Sequence, residues 1–169
     1  MGLDFKIDKL TESIENVQTG KSLETIVMPI TADDLKEVTR RNGWRFDWKI
    51  EFSDKNRHVF KLVTKIEPDI IQGLMSFEKN EGFMYLHLIE NSSNNIGSNK
   101  KYFGVAGNLI AYVCKISAEY GYDGVVVFEP KTELISHYEK TLGAVLIGNR
   151  RMAIFEENAK LLINMYFPG

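Results

Sequence analysis

Apolar positions recur along this chain with two different periods, and the change from one to the other divides it. Residues 1–21 are polar and weakly patterned, with Leu10 and Ile14 spaced for one side of a short helix and Thr19-Gly20-Lys21 as a break. Leu23 to Ile30 reads as a strand. Thr31 then places a capping hydroxyl ahead of Asp33 and Asp34, two carboxylates in a first turn where the helix dipole favours negative charge. A helix is predicted from there to about Arg41, closed by Gly43. Phe46, Trp48, Ile50 and Phe52 alternate with charged residues at period two, the pattern of a half-buried strand, and Ser53 to Arg57 forms the turn after it. Val59 to Ile66, Ile70 to Phe77 and Phe83 to Ile89 repeat that behaviour. Together they predict an antiparallel meander, four strands in succession after one helix.

The second half changes period. Asn91 to Lys100 is almost wholly polar, Ser- and Asn-rich, and predicts a mobile loop. Val105, Leu109, Ile110, Val113, Ile116 and Tyr120 recur at helical spacing, with Gly121 as the stop. Val125 to Phe128 is a continuous apolar run, as expected of a strand buried on both faces. Lys131 to Leu142 predicts a helix entered after Pro130 and ended by Gly143. Ala144 to Ile147 and Met152 to Phe155 flank Gly148-Asn149, a hairpin signal, and Asn158 to Tyr166 closes the chain as a short helix. No internal repeat is present.

Composition narrows the reading to a single domain over 1–169: 169 residues, 44% of them apolar, suffice for one well-buried core and fall short of two ordinary domains. With 21 Lys+Arg against 23 Asp+Glu, no global basic field is available to drive sequence-independent nucleic-acid binding. The single cysteine, Cys114, excludes an intrachain disulfide, and no Cys/His cluster has metal-ligand spacing. Cys114 lies among apolar helix positions without a base partner and is expected in the core. A cytoplasmic protein fits this reducing-compartment signature. The N-terminus Met1-Gly-Leu-Asp-Phe-Lys lacks a cationic start before an apolar core, and no run approaches the roughly 18 apolar residues of a membrane span.

The candidate chemistry lies in Lys101-Tyr-Phe-Gly104-Val-Ala106-Gly107-Asn-Leu-Ile110, between a strand ending at Glu90 and a long helix. Small residues at the first turn of a helix let several backbone N–H groups converge on an anion. Gly104, Ala106 and Gly107 supply that room, or serve only to pack the helix closely on the sheet. Lys100 and Lys101 add positive charge, while Tyr102 and Phe103 point into the core or over a base.

The order of strand, loop, Lys101-x-x-Gly104-x-Ala106, amphipathic helix, buried strand and a helix bearing Tyr138-Glu-Lys with Leu142-Gly143-Ala144 resembles the GNAT acyltransferase family over about residues 70–157. Lys101 stands where the family pattern has Arg or Gln, and would act as a point charge without bidentate geometry. Lys131 stands about where many members carry Asn, and the loop before Lys101 is longer than usual. The resemblance implies an α/β (α+β) fold with a mixed, mostly antiparallel central sheet, splayed middle strands and flanking helices. It also implies an acetyl-CoA or other acyl-CoA donor, no metal, and a pantetheine arm lying in the splay beside the backbone of Leu88, Ile89 and Glu90. The cofactor-binding residues implied are then Leu88, Ile89, Lys101, Tyr102, Phe103, Gly104, Val105, Ala106, Gly107 and Lys131.

An alkylamine near pKa 10.4 is about one part in a thousand neutral at pH 7, so its attack on a thioester needs a proton acceptor. Glu90 is placed for that role, directly or through water, unless it is only a strand-end carboxylate in solvent. Three residues earlier, His87 is expected on the opposite face of the strand. Tyr138 is the general-acid candidate for the departing thiolate, or an apolar contact of its helix beside Leu134, Ile135 and Leu142; His137 points about 100° away from it. The acceptor, a small-molecule or protein amine, is expected near Trp44 to Trp48 and Gly148 to Arg151, with Trp44, Arg45, Asp47 and Trp48 as either pocket or core. No obligatory nucleic acid and no membrane are expected, and a homodimer is left open. The alternative reading is a non-catalytic acyl-CoA-binding or regulatory module of the same fold.

Overall fold

The computed structural model describes residues 2–169; Met1 lies outside them. Ten strands and five helices follow in the order β1 (Ile14–Asn16), β2 (Ser22–Leu23), β3 (Thr25–Pro29), α1 (Ala32–Leu35), α2 (Trp48–Ser53), β4 (Arg57–Thr64), β5 (Gly73–Lys79), β6 (Met84–Asn91), β7 (Tyr102–Phe103), α3 (Val105–Glu119), β8 (Val126–Phe128), α4 (Ile135–Leu142), β9 (Val145–Gly148), β10 (Arg151–Ile154) and α5 (Glu156–Tyr166). The main sheet has the order β3-β4-β5-β6-β8-β10-β9. Every neighbouring pair in it is antiparallel except β6 and β8, which are parallel. A small sheet, β2-β1-β7, stands beside it.

The alternation along the strands supplies two cores. Leu62, Met75, Phe77, Met84, Leu86 and Ile89 turn to α3, whose Val105, Leu109, Ile110 and Val113 are all but sealed from solvent. Val59 and Leu74 turn the other way, onto Ile30, Val38, Trp44 and Trp48. Cys114 is fully buried in the larger core, and burial pushes its thiol up to about 12, so it is inert packing.

The meander, α3, the buried strand β8, the α4 stop at Gly143 (φ 67) and the closing hairpin are as the sequence predicts. Three stretches in the first half differ. Phe46 to Phe52 is not a strand: Asp47 accepts the Lys49 N–H at 3.1 Å and caps α2. The residues that bury are Trp48 and Glu51, one turn apart, while Ile50 is 62% and Phe52 40% exposed. The period-two run is therefore a chance alternation, outweighed by a cap and a buried i, i+3 pair. The predicted helix from Thr31 to Arg41 stops at Leu35 although its capping box forms, with Asp34 N–H to Thr31 Oγ1 at 3.2 Å and Thr31 N–H to Asp34 Oδ2 at 2.8 Å. Thr39 starts a separate 3-10 turn by accepting the Asn42 N–H, and Gly43 (φ 94) ends it. Short hydroxyl side chains compete in this way with a continuing helix. Leu10 and Ile14 do not share a helix either. Ser13 Oγ donates to the Leu23 carbonyl at 2.7 Å, Ile14 pairs with Leu23, and the chain enters β1.

Candidate active-site cleft

The parallel pair β6 and β8 is joined only at Met84↔Val126 and Tyr85↔Val127. From Leu86 to Asn91 no strand among the described residues pairs with β6 on that side, and a cavity of about 700 Å³ opens beside Ile89, Glu90 and Asn91. Ile89, Glu90, Arg45, Lys100 and Lys131 are among its lining residues. A second cavity, of about 460 Å³, includes Tyr85, His87, Phe46 and Glu129. Asp4, Arg45, Ile89 and Lys131 belong to both, so they form the partition between the two.

α3 begins on Gly104, whose φ of 89° only glycine adopts without strain. Residues 104–107 are buried and line neither cavity, so the space beside Gly104 and Gly107 is filled by the chain itself. A Cβ on Gly104 would stand 2.7 Å from the Ser13 carbonyl, and one on Gly107 would stand 2.4 Å from the Tyr166 hydroxyl. The N–H groups of Val105, Ala106 and Gly107 have no acceptor among the described residues, as the first turn of a helix leaves them. Gly104 N–H does have one: it donates to Asp8 Oδ1 at 3.1 Å, and Lys100 Nζ lies 2.9 Å from Asp8 Oδ2. Lys101 is turned away, 3.7 Å from Glu67 and over the Tyr102 ring. Tyr102 goes into the core and pairs with Asn16 across β7 and β1. The polar loop before it is pinned at its centre. Buried Asn95 donates to the Gln72 carbonyl and side chain at 3.2 and 2.9 Å and accepts the Tyr102 N–H at 3.1 Å.

Glu90 is 6% exposed, lines the larger cavity and is held by three donors. Its carboxylate accepts Arg45 N–H at 2.6 Å, Phe46 N–H at 3.3 Å and Trp48 Nε1–H at 2.8 Å. Trp44 and Trp48 are accordingly core, and Trp48 is also the lid on this carboxylate. His87 does not lie on the face opposite Glu90 as alternation predicts. The register with β5 slips between Ser76, opposite Leu88, and Phe77, opposite Leu86, so His87 occupies a β-bulge that resets the alternation. It lines the smaller cavity beside the same Arg45 and Phe46 that Glu90 binds, and its Nε2 is 2.8 Å from Glu78.

Tyr138 is fully buried, its ring against Phe5 (4.7 Å between centroids) and Phe128 (5.3 Å). Its hydroxyl donates to the Phe5 carbonyl at 2.5 Å. Burial, reinforced by the charge of Asp4, pushes this phenol well above its ordinary range. His137 Nε2 accepts the Ile7 N–H at 2.9 Å, so both neighbours on α4 meet the same N-terminal segment.

That segment is what sequence reasoning missed. Leu3 bridges to Pro130 in parallel, with Leu3 N–H to the Glu129 carbonyl at 2.7 Å and Lys131 N–H to the Leu3 carbonyl at 2.9 Å. Asp4 pairs with Arg45 at 2.9 Å and with Lys131 at 3.1 Å. The signal was present: Leu3, Phe5 and Ile7 alternate with Asp4, Lys6 and Asp8 at period two, and the three apolar ones are buried.

No family model matches the sequence, and no curated protein matches it. Solved structures do. A chimera of the spermidine N-acetyltransferase SpeG from Vibrio cholerae and hSSAT aligns at TM-score 0.60 and 16% identity, over 82% of this chain and 99% of that one. Nourseothricin acetyltransferase aligns at TM-score 0.52 and 13% identity, over 77% and 97%. A dodecameric spermidine N-acetyltransferase from Vibrio cholerae aligns at TM-score 0.55 and 15% identity, over 79% and 95%. At such identities the likeness is one of fold.

Proposed function

Taking the GNAT fold as premise, we propose that this chain transfers an acetyl or other acyl group from acyl-CoA to an amine by direct attack in a ternary complex. The observation that carries the reading is the edge of β6 from Leu86 to Asn91, unpaired by any strand among the described residues and bordered by the smaller cavity at Leu86 to Ile89 and by the larger, of about 700 Å³, at Ile89 to Asn91. An extended, amide-bearing pantetheine arm pairs with such an edge at Leu88 and Ile89 as a strand would. The pyrophosphate then lies towards the first turn of α3 and the N–H groups of Val105, Ala106 and Gly107, with Lys100 and Lys101 adding charge at the rim and Tyr102 and Phe103 holding the loop in place. Lys131 lines the acyl end. The smaller cavity, with Glu129 and His87, receives the amine from the far side of the partition.

Glu90 takes the amine proton in this scheme, through water, since direct approach is blocked by its three donors. Tyr138 returns a proton to the CoA thiolate once the Phe5 carbonyl no longer holds its hydroxyl. Those same engagements favour the second reading, a module of this fold that binds acyl-CoA without turnover. Titration calorimetry with acetyl-CoA tests both: absence of saturable binding at tens of micromolar overturns them together. Thiol release with a panel of amines then separates enzyme from module, spermidine first because a neighbour is named for acetylating it. Retained turnover in Tyr138→Phe removes that residue from the mechanism. Self-association is part of the proposal, since one neighbour is dodecameric and the edge strand β9 exposes Val145, Leu146 and Ile147; sedimentation of the purified chain reads it.

A further inference from the structure

Residues 3–8 hold several groups that the acyl-CoA reading needs, among them the Tyr138 hydroxyl, Lys131 and Lys100. The segment's main chain takes the edge of the Glu129 to Lys131 stretch and the hydroxyl of Tyr138. Its two carboxylates take the cations and the helix start: Asp4 neutralises Arg45 and Lys131, and Asp8 takes Lys100 and the Gly104 N–H. In an extended chain these two carboxylates are separated by about 13 Å, four residues at about 3.3 Å each. The segment is thus a flat, amide-bearing strand with an anion at the α3 end, the same chemical outline as a phosphorylated pantetheine arm.

We propose that residues 3–8 are an internal occupant of this cleft, which leaves by a local opening and is displaced by an anionic, amide-bearing ligand. Its hold on the protein is partial. Leu3, Phe5 and Ile7 anchor it in the main core, but its backbone makes one isolated bridge to the strand side and no ladder among the described residues. The Asp4 pairs are partly open to water, with the Arg45 side chain 60% and the Lys131 side chain 42% exposed, whereas the Asp8–Lys100 pair is largely covered. The exposed pairs contribute little, so the three apolar anchors carry most of the hold, and a short segment with few backbone bonds still opens below the cost of global unfolding. Release has an electrostatic consequence. Arg45, Lys131 and Lys100 all lose their counter-ions at once, so a cleft neutralised from within becomes an attractor for phosphate. The apparent affinity for the ligand is then the intrinsic one reduced by the fraction of molecules already open.

This inference takes acyl-CoA from the reading above, and its test separates the two. Amide hydrogen exchange on the full chain without ligand should show residues 3–8 exchanging about a hundredfold faster or more than β4 to β6. Equal protection would overturn the inference. Coenzyme A should bind the double variant Asp4→Asn, Asp8→Asn about tenfold tighter than the parent chain, and should speed exchange at residues 3–8 while slowing it at residues 104–108. These substitutions conserve side-chain size and leave Leu3, Phe5 and Ile7 in place, so the fold is retained. If coenzyme A binds both proteins equally and the segment stays protected, the inference fails and acyl-CoA binding stands. If coenzyme A binds neither, the acyl-CoA reading fails, and fast exchange at residues 3–8 alone supports a detachable occupant.

Discussion

The β6 wall of the cleft and the facing wall, the stretch from Glu129 to Leu134 between β8 and α4, are stabilised from opposite directions. Behind β6, the Glu90 carboxylate gathers Arg45 N–H, Phe46 N–H and the Trp48 indole, so the edge facing the cavity stays free while the strand is fixed. Across from it, the main chain beyond β8 and the side chains of His137 and Tyr138 are satisfied from the front, by Leu3, Phe5 and Ile7. A wall bonded from behind is ready for a ligand as it stands. One bonded from the front has first to be cleared.

The anchoring of β6 from behind depends most on Glu90. Glu90→Leu leaves three donors facing an apolar side chain, at a cost of about 3 kcal/mol or more. For a chain of this size that lowers the thermal midpoint by about 6–12 °C; a fall under about 2 °C by circular dichroism would mean that β6 is not anchored from behind. Tyr138→Phe removes the bond to the Phe5 carbonyl and the longer one, at 3.4 Å, to the Leu3 carbonyl, and should cost about 1 kcal/mol. Its effect should appear as faster exchange at residues 3–8, with β4 to β6 unchanged.

Acidification discriminates the walls more gently. Burial first, and the charge of Lys6 second, hold the His137 pKa below its ordinary 6.5. The folded state therefore favours the neutral ring that accepts Ile7 N–H, and its stabilisation is complete above pH 6.5 and is lost as pH falls through the depressed value. Burial raises the Asp4 carboxyl, but its hydrogen bonds and charge pairing with Arg45 and Lys131 outweigh that and hold it below the ordinary carboxylate range. Its contribution persists to lower pH and vanishes only below about pH 4. Between pH 7 and 5, protection factors at residues 3–8 should fall by about twofold or more while those of β4 to β6 hold. The smallest effect belongs to Lys101. Its exposed pair with Glu67 at 3.7 Å is worth under about 0.5 kcal/mol, so Lys101→Ala should move the midpoint by less than about 2 °C. Coenzyme A affinity should suffer more from Lys100→Ala, and the reverse order would place the phosphates at Lys101.

Legibility in the sequence followed the range of the forces involved. From Val59 onward, where strands and α3 bury regular faces, period and stop residues locate nearly every element, and the fork after β6 follows from the family likeness. Phe46 to Phe52 was misleading because its outcome depends on one long-range partner: Trp48 turns inward to reach Glu90, 42 residues away in sequence. The bulge at His87 has no local marker, since it arises from register against β5. At the site, the sequence names Glu90 and Lys131, which line the cleft, and the α3 start, which is buried away from both cavities. It could not reveal that Asp4 and Asp8 would reach the same place, because their partners Lys131 and Lys100 lie more than ninety residues away.

The two residue pairs that join β6 to β8 have a mechanical meaning as well. The main sheet is really a four-stranded leaf, β3 to β6, and a three-stranded leaf, β8 to β10, stitched at one corner. Under load the seam between the leaves is the place to tear, ahead of either leaf's interior, and pulling apart attachment points on β4 and β10 should record a small first yield there before the main rupture.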